Sequence, residues 1–299
     1  MIKYKSIFCV AFAAFAALFA SCEQVGENER YVAVVPSEPG DTTGSDTAVV
    51  DTVLRAVLVE EFSGQLCVNC PAATEALETM QEANGGSDRV VVVSLHAGVG
   101  QMLAINETMG QALGYQGLAT DFGEQLFSSY GLTSEPNAVI NRNSGVLGMG
   151  QWATNIVSAL RVEANVSLSA RTSYDAASRS LTVEVLGRST DEGGYTGNVH
   201  VWLTEDSIVS IQRLEDGYEY DHVFNNIFRA SATPMAGEAV SVPYGNEPQL
   251  LHTATFTLNE VWRPEHMAVV VFVDNAAGVA QALRVPLVQA ADAGEDAAE

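Results

Sequence analysis

The chain has 299 residues, 47% hydrophobic and 17% charged, the composition of an ordered globular protein of about two domains. Its formal net charge of −23 excludes a nucleic-acid binder held by phosphate contacts and a membrane protein held by a basic patch. No internal apolar run is long enough to cross a bilayer, so membrane attachment has to come from a lipid.

Lys3 and Lys5 precede an apolar, alanine-rich run over residues 7–20, which reads as a secretory signal over residues 1–21. Ala20 and Ser21 stand directly before Cys22 and resemble a lipobox, in which cleavage leaves Cys22 as a lipidated N-terminus. Ordinary secretion with cleavage nearby is the alternative. Removal of Lys3 and Lys5 with the signal takes the side-chain charge from −23 to −25. Residues 22–53 are rich in Ser, Thr, Gly, Pro and acids and read as a flexible acidic tether. Fully extended, such a segment reaches about 100 Å; as a coil it averages roughly 30 Å.

Residues 54–165 alternate strand and helix patterns. Residues 55–62 are an apolar strand, 71–83 a helix with Ala73, Leu77 and Met80 on one face, and 89–95 a valine-rich strand suited to a sheet covered on both sides. A helical stretch over 100–130 contains glycines and is expected to be broken. A further strand at 137–142 and an amphipathic helix at 151–163 close the region. Met102, Met109 and Trp152 are expected to pack in the core or a lid.

Between the first strand and first helix lie Cys67 and Cys70 in C-x-x-C spacing. A helix N-terminus offers backbone N–H groups and a positive dipole end, which favour a thiolate, the species that attacks disulfides. In an exported chain the pair is free to be a disulfide, redox-active or structural. A structural zinc site is not expected, because it needs about four ligands and no second C-x-x-C or paired histidine accompanies these cysteines. The five histidines are scattered, and no cofactor is implied.

Residues 166–288 contain alternating runs such as SLTVEVLGR, NVHVWLTED and MAVVVFVDN, separated by turn residues. They predict an all-β sandwich of immunoglobulin or fibronectin type, with Trp202 and Trp262 as core or rim aromatics. Residues 289–299 form an acidic tail expected to fray.

VLVEEFSGQLCVNC resembles the thioredoxin pattern of apolar strand, acid, aromatic residue and C-x-x-C. YGLTSEPNAVINR resembles the segment carrying that family's cis-proline. The resemblance implies a thioredoxin-like α/β domain with a helical insertion, Cys67 as attacking thiolate, Cys70 as resolving thiol, Glu61 as buried proton carrier and Pro136 as the cis residue. Glu135 then lies beside the sulfurs, where its charge opposes a thiolate. His96, at the end of the following strand, is placed on the same rim as a thiolate-stabilising group. The whole chain, from lipobox through FSGQLCVNCP and SLHAG to the β-rich half, is similar to the twenty-eight-kilodalton outer-membrane protein family of Gram-negative lipoproteins. That implies an outer-membrane location, lipid-anchored through Cys22 and facing the periplasm or cell surface. Its expected partners are exported polypeptides or an envelope redox partner, not nucleic acid. Activity is expected to be weak thiol-disulfide exchange, or none if the pair is a structural disulfide in a surface binding module.

Overall fold

A computed structural model describes residues 53–287. The signal, Cys22, all but the last residue of the tether and the acidic tail lie outside the described residues.

The expected α/β segments form where the patterns place them. They are β1 (Val57–Ser63), α1 (Cys70–Ala83), β2 (Val90–His96), α2 (Glu107–Leu113), α3 (Asp121–Ser129), β3 (Asn137–Ile140), β4 (Val146–Leu147) and α4 (Trp152–Leu160). The 100–130 stretch breaks into α2 and α3. Asn106 caps α2 by accepting from the Met109 amide, Gly114 ends it in a left-handed conformation, and Thr120 caps α3 through the Gly123 amide. Trp152 is fully buried, whereas Met102 is exposed rather than packed.

The remaining strands are β5 (Val166–Asp175), β6 (Ser180–Ser189), β7 (Tyr195–Glu205), β8 (Ile208–Leu214) and β9 (Gly217–Phe224). They continue with β10 (Ile227–Ser231), β11 (Glu238–Val242), β12 (Gln249–Thr257), β13 (Met267–Asn275) and β14 (Gly278–Pro286). The result is a β-rich fold, but its sheets do not divide where the sequence texture changes. One nine-stranded sheet runs β14-β13-β7-β10-β2-β1-β3-β4, with β11 also on β7. β2 joins β10 in parallel through Ile227 opposite Ser94, so strands from both expected regions share this sheet. The residue 165/166 boundary is one of composition; packing crosses it.

Alternation along β1 explains why. Val57 and Val59 face α1 and α4 in a core with Leu77, Val92, Trp152 and Ile156. Leu58 and Phe62 face the other way, into a core that includes Val93, Leu95 and Phe127 and also Trp202, Phe228, Val270 and Phe272 from the C-terminal half. The opposite face of β7 and β13 presents Val199, Val201, Val269 and Val271 to the three-stranded sheet β12-β6-β5, which supplies Val183, Val185 and Phe256. These two sheets pack face to face through that cluster, and the larger of them also carries β1 to β4. The β8–β9 hairpin pairs only with itself. It is pinned at its base where Ile208 and Phe224 pack with Leu118 and Ile227.

Candidate functional site

β1 ends at Ser63, and residues 64–69 turn the chain into α1. The Cys67 amide donates to the Gly64 carbonyl and the Cys70 amide to the Cys67 carbonyl. Cys67 and Cys70 form a disulfide with Cα atoms 5.4 Å apart. Cys70 is the first residue of α1, with Pro71 next, and Cys67 lies in the preceding turn.

Antiparallel pairing of β1 with β3 sets Glu61 opposite Ala138 and Phe62 opposite Asn137. Continuation of that register brings Pro136 to the level where β1 gives way to the cysteine turn. The Glu135–Pro136 peptide bond is cis. The Glu135 carboxylate and both sulfurs lie within 4.8 Å of one another. Both Glu135 oxygens are buried without a hydrogen-bond partner. Burial first, then the charges of Glu61 and Glu124, push its pKa up to about 9. At neutral pH the group is thus an uncharged acid, which removes the electrostatic opposition to a thiolate expected of it.

Glu61 is 1% exposed and faces the first turn of α1, where Thr74 donates to its Oε1 at 2.9 Å. Its Oε2 has no partner. Desolvation raises its pKa to about 7, against the opposing pull of the Thr74 and Ser94 hydroxyls. His96 sits opposite Ser63 in the register and packs its ring edge-on against Phe224, with centroids 5.3 Å apart. Burial, then Arg229 and His222, lower its pKa to about 3, so it is neutral and supplies no positive charge for the thiolate-stabilising role expected of it. Cys70, Ser94, His96 and Gln212 line a cavity of only about 20 Å³.

The sequence does not show what covers the pair. Cys67 is 3% and Cys70 1% exposed, because the β8–β9 hairpin roofs them. Gln212 of β8 donates through Nε2 to the Cys67 carbonyl at 3.0 Å. The Arg213 amide donates to the Gln65 carbonyl at 2.8 Å. Gln65, fully buried, donates through Nε2 to the Ser210 hydroxyl and the Gln116 carbonyl and accepts from the Leu118 amide. The roof is thus bonded to the cysteine loop at several points.

A second cluster was likewise hidden in the sequence. Ile140 is followed by Asn141 and Arg142 in left-handed conformations, which swing Arg142 back into the core. Its Nε and Nη2 donate to Glu60 Oε1 at 3.0 and 2.9 Å, and its Nη1 to Asp274 Oδ2 at 2.9 Å. Tyr130 donates to Glu60 Oε2 at 3.1 Å, and the guanidinium lies 4.7 Å from the Phe272 ring centre. The available clue is the Glu60–Glu61 doublet: in a strand buried on both faces, adjacent acids point to opposite cores, and each needs a partner. On another face, an open cleft of about 700 Å³ is lined by Tyr115, Trp262 and Arg229; it does not include the cysteines.

Residues 123–295 match the family of outer membrane protein Omp28. The chain belongs to that family. The Omp28 match begins C-terminal to the dithiol, within α3, and takes in Pro136, Arg142 and the strands of the C-terminal half. Among solved structures, HBP35 of Porphyromonas gingivalis is similar over 82% of this chain and 79% of its own, at 15% identity and a TM-score of 0.60. That likeness shows a shared fold extending across both halves. A protein of Agrobacterium tumefaciens is similar over 80% of this chain and 97% of its own, at 15% identity and a TM-score of 0.46. A domain of the outer membrane lipoprotein Omp28 from P. gingivalis is similar over 42% of this chain and 88% of its own, at 15% identity and a TM-score of 0.29. No curated protein matches the sequence. Among the described residues of this Omp28 family member, no helix is long and apolar enough to cross a membrane.

Proposed function

We propose that this Omp28 family member is an outer-membrane lipoprotein, anchored through lipid on Cys22, whose thioredoxin-like N-terminal part performs gated thiol-disulfide exchange on exported polypeptides. An immunoglobulin-like sandwich completes the fold in this reading. The observation that carries the exchange is the buried Glu61, facing the first turn of the helix that begins at Cys70, with its pKa raised to about 7. A carboxyl that changes protonation near neutrality suits proton transfer during resolution of a mixed disulfide. Cys67 attacks, Cys70 resolves, Glu61 carries the proton and Pro136 shapes the rim.

Loop length also favours chemistry over stapling. The bridged cysteines are three positions apart. Closing a loop of about four residues removes only about 2 kcal/mol of unfolded-state entropy, against nearly 5 for a 100-residue loop. A disulfide kept for stability alone gains little here.

The roof supports a second reading, a surface binding module with a sealed structural disulfide, because both sulfurs are buried under β8. Reduction of the folded protein in a glutathione or small-dithiol buffer separates the two. Exchange predicts full reduction and a measurable potential, with faster reduction in Gln212→Ala, which loses the bond from hairpin to Cys67. A pair that stays oxidised in excess dithiol while the protein remains folded refutes exchange and leaves the binding module.

A further inference from the structure

We propose that the reduced form of this protein binds one thiophilic divalent cation, zinc or cadmium, through Cys67 Sγ, Cys70 Sγ and the Glu135 carboxylate. The inference rests on the pair being reducible and not on exchange with any polypeptide.

The three groups already converge. The two sulfurs and a Glu135 oxygen lie within 4.8 Å of one another before any cation is present. Gly64, whose missing side chain leaves room for the acid, lies against Glu135. A Cβ on Gly64 would stand 2.8 Å from Glu135 Oε2 and 2.1 Å from the Leu103 carbonyl oxygen. Neither Glu135 oxygen has a hydrogen-bond partner, although both are buried. A buried polar oxygen is normally satisfied, so this acid is aimed at something it has not yet met.

Thiolates select soft and borderline cations, and two sulfurs with one oxygen leave the fourth tetrahedral position of zinc for water.

The chemistry balances with a dithiol reductant. Its two thiols give up two electrons and two protons and close to a disulfide; the Cys67–Cys70 bond breaks to two thiols. Cation binding then releases both thiol protons and the proton on Glu135. Oxidation of the pair would expel the ion, which makes occupancy a readout of redox state.

The test uses the full mature chain, reduced anaerobically, freed of reductant and titrated with cadmium. Free thiols are counted separately with a thiol reagent. The expected result is two thiols and one cadmium per chain, with a thiolate-to-cadmium ultraviolet band. The oxidised protein and Cys67→Ser, Cys70→Ser together should show no band. Glu135→Gln, which keeps the shape of the side chain, is expected to weaken binding at least tenfold. X-ray absorption of the zinc-loaded wild type should show two sulfurs near ~2.3 Å and oxygen near ~2.0 Å. Two free thiols without a cadmium band, sulfur ligation with Glu135→Gln binding as tightly as wild type, or a pair that cannot be reduced would each overturn the site. Failure of polypeptide exchange would appear differently, as cation binding with two free thiols but no reaction with an oxidised peptide.

Discussion

Replacing Glu61 with glutamine is expected to stabilise the oxidised protein progressively as pH rises. The carboxyl has an ordinary value of 4.5 and a folded value of about 7. Below 4.5 it is protonated whether the chain is folded or not, and titration adds no penalty. Between the two values the unfolded chain releases the proton while the folded protein holds it, so native stability falls as pH rises. Above 7 the full penalty applies. Two and a half pKa units correspond to about 3 kcal/mol. Glu61 is only 1% exposed, so solvent screening does not reduce that figure. Glutamine keeps an oxygen to accept from Thr74 and has no charge to desolvate. Urea unfolding of wild type and Glu61→Gln at pH 5 and pH 8 measures the effect. The variant should gain about 1 kcal/mol at pH 5 and about 3 at pH 8, because most of the penalty develops between them. An equal shift at both pH values would show that Glu61 titrates normally, and the proton-carrier role would go with it.

Arg142→Met should cost about 3–5 kcal/mol in urea unfolding, because it leaves the fully buried Glu60 without its cation. A loss below ~1 kcal/mol would refute the reading of Arg142 as the buried partner on which Glu60 depends. Gly64→Ala should destabilise by more than ~2 kcal/mol, since its Cβ meets the Leu103 carbonyl oxygen at 2.1 Å and backbone must move. An unchanged melting temperature would refute that crowding. Calorimetry should show one unfolding transition for the full chain, and residues 166–299 expressed alone should lose cooperative melting, because Trp202, Phe228 and Phe272 pack against Phe62 and Val93. Two resolved transitions would restore independent domains.

How far the fold could be read depended on sequence separation. β1, α1 and β2 are each written in a few residues: a run of alternating or continuous apolar positions, a turn glycine and a proline in the first helical turn. Strand patterns in the C-terminal half were equally legible. What they could not show was partner choice. Strands of Val, Ile and Phe pair with any apolar edge, and the junction of β2 with β10 joins Ser94 to Ile227, more than a hundred residues apart. The same limit explains why Glu61 could be picked from its motif while Arg142 could not: its partners Glu60 and Asp274 come from opposite ends of the chain.

The sequence by itself determined the local chemistry: a dithiol between a strand and a helix, an acid in the strand, and a proline with Glu135 before it. It also determined the family and the acidity of the chain. Tertiary structure decided what those groups experience. Burial holds Glu135 and Glu61 as acids with raised pKa values and leaves His96 neutral, and the β8–β9 hairpin seals the sulfurs. A residue's type sets its ordinary charge, but desolvation and neighbouring charge set the one it carries, and those depend on segments that meet only when the chain is folded.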